Sequence, residues 1–208
     1  MRKKFLFSIV DNIKTIFYAL IIAVIVRSLF FQPFYIPSSS MEPTLLIGDR
    51  IFVSKYSYGY SKHSFPFSPP LFKKRLFAHT PNYGDLVVFK TPADNRTDYI
   101  KRLIGMPGDT IQFQNGNIIL NDKPIPRIKA KSNFKIRCGT TSPAVIAFKE
   151  TLPNGKEYVA VYNKKGSMQT TDKYEVPLNH FFFLGDNRDC SKDSRYLSSV
   201  GYVSNENL

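Results

Sequence analysis

Ser38, Ser39 and Ser40 stand in a row within the stretch IPSSSMEPTL at residues 36–45. A serine hydroxyl becomes a nucleophile only where a neighbouring group removes its proton. The chain has three histidines, His63, His79 and His180; they are isolated, fit no metal-binding pattern and read as surface or structural side chains. That leaves the Ser-Lys form of the nucleophile–base pair. A free lysine, with a pKa of about 10.4, is neutral in roughly one molecule in a few thousand at pH 7. The base must therefore be a lysine stripped of water or set beside a positive charge. Most lysines here lie in polar surroundings. Lys101 lies in Asp98-Tyr-Ile-Lys-Arg-Leu-Ile104, where strand alternation puts it on a face with Tyr99 and Leu103, and Ile100, Arg102 and Ile104 on the other. It reads either as a buried base or as a lysine on an amphipathic edge. If the serine run is extended, Ser38 and Ser40 face one side and Ser39 the other. One hydroxyl can then attack while its neighbour donates to a developing oxyanion. Pattern alone does not rank Ser38 against Ser40.

These residues need a β scaffold, and the chain supplies one. Gly48-Asp49 introduces a strand over Arg50–Ser54. Asp85–Lys90 follows Gly84, and Asp98–Ile104 runs into the turn Gly105-Met-Pro-Gly-Asp109. Thr110–Phe113, Asn115-Gly116-Asn117 and Ile118–Leu120 predict a hairpin. His180–Leu184 predicts a buried strand leading into Gly185-Asp-Asn-Arg-Asp-Cys-Ser-Lys-Asp-Ser-Arg195. Residues 125–179 are strand-like but diffuse. Residues 57–83 are irregular and aromatic, with Phe65, Phe67, Leu71, Phe72 and Phe77 among basic residues. They read as a long loop covering core or as one lying on a membrane surface.

The N-terminus is apolar. Thr15–Val26 carries no charge, and a helix over Ile13–Phe31 has roughly the 20 residues that cross a bilayer. Arg27 lies near one end, where its stem reaches the interface, and Phe30, Phe31, Phe34 and Tyr35 supply interfacial aromatics. A cleaved signal peptide is the rival reading. Asp11 and Lys14 interrupt the segment and no small-x-small cleavage pattern follows, so the segment reads as an anchor. Arg2, Lys3 and Lys4 precede it, which predicts a cytoplasmic N-terminus and a globular part on the far side.

At 208 residues and 43% hydrophobic composition the chain is globular rather than disordered. A net charge of +13 suits an anionic partner. The lysines and arginines are scattered, as in Lys73-Lys74-Arg75, Arg127–Lys131 and Lys164-Lys165, with no nucleic-acid-binding signature among them. Membrane lipid is the partner this charge suggests. Cys138 and Cys190 are too few for a disulfide framework and wrongly spaced for zinc; paired and independent thiols both remain open.

Three stretches together resemble the bacterial type I signal peptidases, or leader peptidases. PSSSMEPTL is similar to their Ser-x-Ser-Met-x-Pro-Thr-Leu box, YIKRLIGMPGD to their lysine box, and GDNRDCSKDSR to their final Gly-Asp-Asn-x-x-x-Ser-x-Asp-Ser-Arg box, in that order and behind an anchor. The resemblance implies Ser40 as nucleophile, Lys101 as general base, and Ser38 with the Ser40 backbone N–H as oxyanion hole. It implies Ser191 as the group orienting the lysine amine, Asp193 and Arg195 as an ion pair behind the site, and Tyr99 beside the cleft. The implied fold is mostly β: an antiparallel catalytic core with an inserted β cap, preceded by one transmembrane helix. The expected boundaries are 1–12 cytoplasmic, 13–31 transmembrane, 32–112 and 180–208 catalytic core, and 113–179 cap.

The implied reaction is endoproteolysis of exported preproteins at the outer face of the cytoplasmic membrane. No metal or organic cofactor and no nucleic acid take part. The substrate is expected to bind as an extended strand, with small residues at the first and third positions before the cut. The chain departs from the family pattern at Cys190, where asparagine is common, and at its end, VGYVSNENL, where relatives usually continue for a short strand. Two other readings share some of these features. A self-cleaving protease of the SOS-repressor type uses the same chemistry, but the anchor and the lack of a DNA-binding segment tell against it. A catalytically inactive, basic, membrane-tethered binding protein has no chemical need for all of Ser38, Ser40, Lys101 and Ser191.

Overall fold

The computed structural model describes residues 2–69, 74–131, 134–164 and 170–208, with side chains from Val10 onward. Leu71, Phe72, Lys73 and Lys165 lie outside the described residues, as do the side chains of Arg2, Lys3 and Lys4. A long helix, α1 (Arg2–Leu29), is followed by strands β1 (Phe31–Tyr35), β2 (Arg50–Ser54), β3 (Leu86–Lys90), β4 (Asp98–Gly105), β5 (Thr110–Gln114) and β6 (Asn117–Leu120). Then come β7 (Lys123–Pro124), β8 (Arg127–Lys129), β9 (Val145–Thr151), β10 (Glu157–Asn163), β11 (Tyr174–Glu175), β12 (His180–Leu184) and β13 (Val203–Ser204). The chain is mostly β, and strands β3 to β13 pair antiparallel.

The chain divides into two compact units. The first comprises residues 1–34 and 52–79. Its Val10–Leu29 segment has a mean hydropathy of 1.7 over 20 residues, which meets the length and apolarity needed to cross a bilayer. The helix ends two residues before the expected Phe31, because Phe31 enters β1, which pairs with β2. Tyr60 Oη donates to the Leu29 carbonyl at 2.8 Å, and Lys55 N–H donates to the Phe30 carbonyl at 2.8 Å. These bonds tie the following loop to the helix end. In that loop Phe67 and Phe77 point to solvent, so they do not cover a core. Both sit at positive φ, 63° and 51°, the left-handed region that bulky residues rarely adopt.

The second unit, residues 35–51 and 80–208, holds the site residues. One sheet has the order β13-β12-β4-β3, another β11-β5-β6-β7 and a third β10-β9-β8. The alternation that predicts β5 and β6 is borne out in burial: Ile111, Phe113, Ile118 and Leu120 point inward. They pack with Ile104, Phe182, Leu184, Tyr158 and Tyr162 in one core. A satellite cluster of Ile136, Ala147 and Val161 lies under β9 and β10. Among the described residues of the diffuse stretch 125–179, β9 and β10 form a hairpin with β8 alongside, registered by pairs such as Ala160↔Phe148 and Ile128↔Lys149, and β11 pairs with β5. Inside the fold β4 is central, paired with β3 through Val87↔Lys101 and with β12 through Leu184↔Arg102.

Candidate active site

The serine run is not extended. Ser38 has strand-like torsions (φ −127°, ψ 155°), but Ser39–Met41 forms a 3₁₀ turn. The strand alternation expected for the run therefore fails. The hydroxyls still meet, because the turn brings Ser38 Oγ to 3.3 Å from Ser40 Oγ. The turn is held from inside, since Met41 is buried in the core and Thr44 and Leu45 N–H groups donate to its carbonyl. Ser38 remains exposed, while Ser40 is 7% exposed.

β4 delivers Lys101 to this turn. As the alternation expects, Leu103 is buried and the Lys101 ammonium lies 5.2 Å from the centre of the Tyr99 ring. Lys101 itself is 4% exposed, which settles the open question in favour of a buried lysine rather than an edge one. Its Nζ is 2.6 Å from Ser40 Oγ, and it donates to the Ile100 carbonyl at 3.0 Å. Burial pushes the Lys101 amine down to about 8, against the opposing charges of Asp193 and Asp186. Desolvation disfavours the ammonium, so the neutral amine becomes accessible near neutral pH.

The last box closes over both residues. Arg195 Nε donates to Asp193 Oδ1 at 2.8 Å and its Nη2 to Asp193 Oδ2 at 2.9 Å, a two-pronged pair in a buried setting. Burial alone would raise the Asp193 carboxyl, but Arg195 more than offsets it and the pKa falls below its ordinary value. Ser191 is buried and its Oγ has no hydrogen-bond partner among the described residues. It does not bond the Lys101 amine in this conformation. A Cβ on Gly185 would fall 2.1 Å from Ser191 Oγ and 2.5 Å from the Ser40 carbonyl oxygen, so glycine is what lets the last box approach the serine turn.

Several residues that position the site escaped the sequence reading. Arg102, next to Lys101, donates through Nε and Nη2 to Asp186 at 2.8 and 2.6 Å, and through Nη1 to the Gly84 carbonyl at 2.8 Å. Thr44 Oγ1 also donates to Asp186. One buried carboxylate thus joins all three motifs. Asn187 N–H donates to the Ser40 carbonyl at 3.1 Å, and its Nδ2 donates to the Ser39 carbonyl at 3.1 Å. Deeper in, Arg188 is buried against Glu150, which also accepts from Tyr158 and Tyr162. Burial opposes the Arg188 charge and Glu150 more than restores it. Cys138 and Cys190 are joined in a disulfide, which decides between the two readings left open. Polar residues inside the recognised motifs were the available signal for Arg102, Asp186 and Asn187. Glu150 carried none.

A family model described as Signal peptidase, peptidase S26 matches residues 9–208. The signal peptidase I of Rickettsia conorii (strain ATCC VR-613 / Malish 7) is 44% identical over 202 residues, covering 92% of this chain and 73% of that protein. The signal peptidase I of Rickettsia bellii (strain OSU 85-389) is 42% identical over 206 residues, covering 94% and 68%. A crystal structure of a signal peptidase I from Enterococcus faecalis V583 is 22% identical, with a TM-score of 0.36, and covers 62% of this chain and 93% of that one. With nearly the whole chain matched and all three motifs gathered around one serine turn, this protein belongs to the signal peptidase family, peptidase S26.

Proposed function

We propose that this chain is a membrane-bound serine endopeptidase that removes signal peptides from exported preproteins with Ser40 as nucleophile and Lys101 as general base. The observation that carries the reading is the 2.6 Å approach of Lys101 Nζ to Ser40 Oγ, with both groups buried. With its amine neutral, Lys101 accepts the Ser40 hydroxyl proton as Oγ attacks the scissile carbonyl. The Ser40 N–H and the Ser38 hydroxyl donate to the oxyanion. Lys101 then gives its proton to the leaving amine of the substrate. The Lys101 amine, neutral again, takes a proton from water as that water attacks the acyl-enzyme, and returns it to Ser40 Oγ as the acid product leaves. Ser191 supplies the hydroxyl that orients the Lys101 amine, its burial beside the Gly185–Ser40 contact supporting that role. Asp193 and Arg195 hold the last box behind the site, and Tyr99 flanks the lysine.

The substrate's cleavage region adds as an extended strand, with small residues at the first and third positions before the cut. The apolar Val10–Leu29 segment supports residues 13–31 as the anchor, with 1–12 cytoplasmic and the remainder outside. The core comprises 32–112 and 180–208, and 113–179 forms the cap. Basic residues and the exposed aromatics of the 52–79 segment face lipid headgroups. Preprotein cleavage in detergent tests the chemistry. Ser40→Ala and Lys101→Ala are each expected to abolish product, and undiminished cleavage in either variant removes that residue from the mechanism.

A further inference from the structure

Within the segment Ile136-Arg137-Cys138, both backbone polar groups of Arg137 bond residues of the serine box and the last box. Arg137 N–H donates to Glu42 Oε2 at 2.6 Å, and the Arg137 carbonyl accepts from Asn187 Nδ2 at 3.1 Å. Glu42 follows Met41 in the serine turn, is 4% exposed, and its own N–H donates to the Ser39 carbonyl at 3.0 Å. Asn187 belongs to the last box and bonds the Ser39 and Ser40 carbonyls. The next residue, Cys138, is bonded to Cys190, directly before Ser191. Ile136 is packed with Ala147 and Val161 beneath β9 and β10. Val161 N–H in turn donates to the Asp186 carbonyl at 2.9 Å. A single residue therefore spans the serine turn and the last box through its two backbone polar groups, and a covalent bond keeps it there.

We propose that Glu42 is a positioning residue, which holds the Ser39–Met41 turn against an Arg137–Cys138 strap that the Cys138–Cys190 disulfide fixes in place. This rests on Ser40 as nucleophile, because what the strap holds is the Ser40 backbone. The physical need is geometric. A nucleophile and its oxyanion N–H displaced by ~1 Å lose about 10²-fold in rate, and a 3₁₀ turn of three residues has few internal bonds to hold it. The buried Glu42 carboxylate accepts a backbone donor that is otherwise left without a partner inside the protein. The strap acts on the turning-over complex, so its loss is read in kcat rather than KM.

Steady-state cleavage of a signal-peptide substrate by the full chain in detergent tests this. Glu42→Ala is expected to lower kcat about tenfold with KM within about twofold, the cost of an orphaned buried donor. Glu42→Gln, whose amide oxygen still accepts from Arg137, is expected to recover activity to within about threefold of the parent. Cys138→Ser/Cys190→Ser is expected to lower kcat at least about threefold, and adding Glu42→Ala to it costs less than the product of the two, because both act through one strap. The acid limb of the pH profile stays where it is in the parent, since Lys101 is untouched. Unchanged kcat in Glu42→Ala, or effects that multiply as independent, overturn the proposal. If Glu42→Ala does not fold, unchanged kcat in the cysteine variant overturns it instead. Activity surviving in Ser40→Ala defeats the Ser-Lys reading, whereas full activity in Glu42→Ala alongside an inert Ser40→Ala defeats the strap alone.

Discussion

A lysine amine works as a base only in the fraction of molecules where it is neutral, so the burial of Lys101 sets the pH at which the proposed chemistry runs. With the amine at about 8, the neutral fraction climbs as pH rises through that value. We expect kcat/KM to fall about tenfold per unit of pH below it and to level off above it; a limb near 6, or none, would place the titrating base elsewhere. The same shift has a stability consequence of definite sign. The folded amine releases its proton below the ordinary value of 10.5, so the stability withheld at low pH returns as pH rises from about 8 to 10.5. Ser38 lies 3.3 Å from Ser40 across the turn and is exposed, so its hydroxyl is free to meet a substrate carbonyl in the proposed reaction. Ser38→Ala is expected to cut kcat by about 10²–10³-fold with little change in KM. A drop under about threefold would remove it from the oxyanion hole.

At the scale of elements, the site is two loops, the serine turn and the last box, held to one strand by buried charge. Asp186 receives both Arg102 from β4 and Thr44 from behind the serine turn, and Arg195 grips Asp193. Arg188 anchors the last box to β9 and β10 through Glu150. Breaking one partner of such a pair leaves an uncompensated buried charge, which costs about 3–5 kcal/mol. The closest approach needs no charge at all: Gly185 passes the Ser40 carbonyl where a Cβ would fall at 2.5 Å. Gly185→Ala is expected to abolish cleavage, since either the serine turn or Ser191 must move. Wild-type turnover in that variant would show that the two loops are not in the contact described. The strands beneath were readable in advance because each alternation is local. The loop contacts were not, because Arg102 and Asp186 are 84 residues apart and Glu150 and Arg188 are 38 apart. Nothing in a local pattern says which distant carboxylate a buried arginine will meet.

For the molecule as a whole, the proposed topology rests on the apolar segment and on the basic residues before it. If Arg2, Lys3 and Lys4 hold the N-terminus in the cytoplasm, protease added outside intact spheroplasts digests residues beyond the helix, and inverted vesicles protect them. Protection in spheroplasts would put Ser40 on the wrong side for exported preproteins.

The apolar helix, the main strands of the second unit and the motifs are legible in the chain alone, because each is written in neighbouring residues: a charge-free run, an alternation of period two, a serine or a lysine in fixed company. Strand alternation placed Lys101 beside Tyr99, and the residue types narrowed the proposed nucleophile to one short serine run. It misjudged that run's backbone, reading a strand where a 3₁₀ turn forms, because the turn is imposed by Met41 packing inward and Asn187 bonding from the other end of the chain. Only the packed structure shows that Lys101 and Ser191 are buried, that Cys138 meets Cys190, and that Arg102, Asp186 and Thr44 converge. Desolvation and long-range pairing are properties of a packed interior, and they arise only once residues separated by 52 to 142 positions are brought into contact.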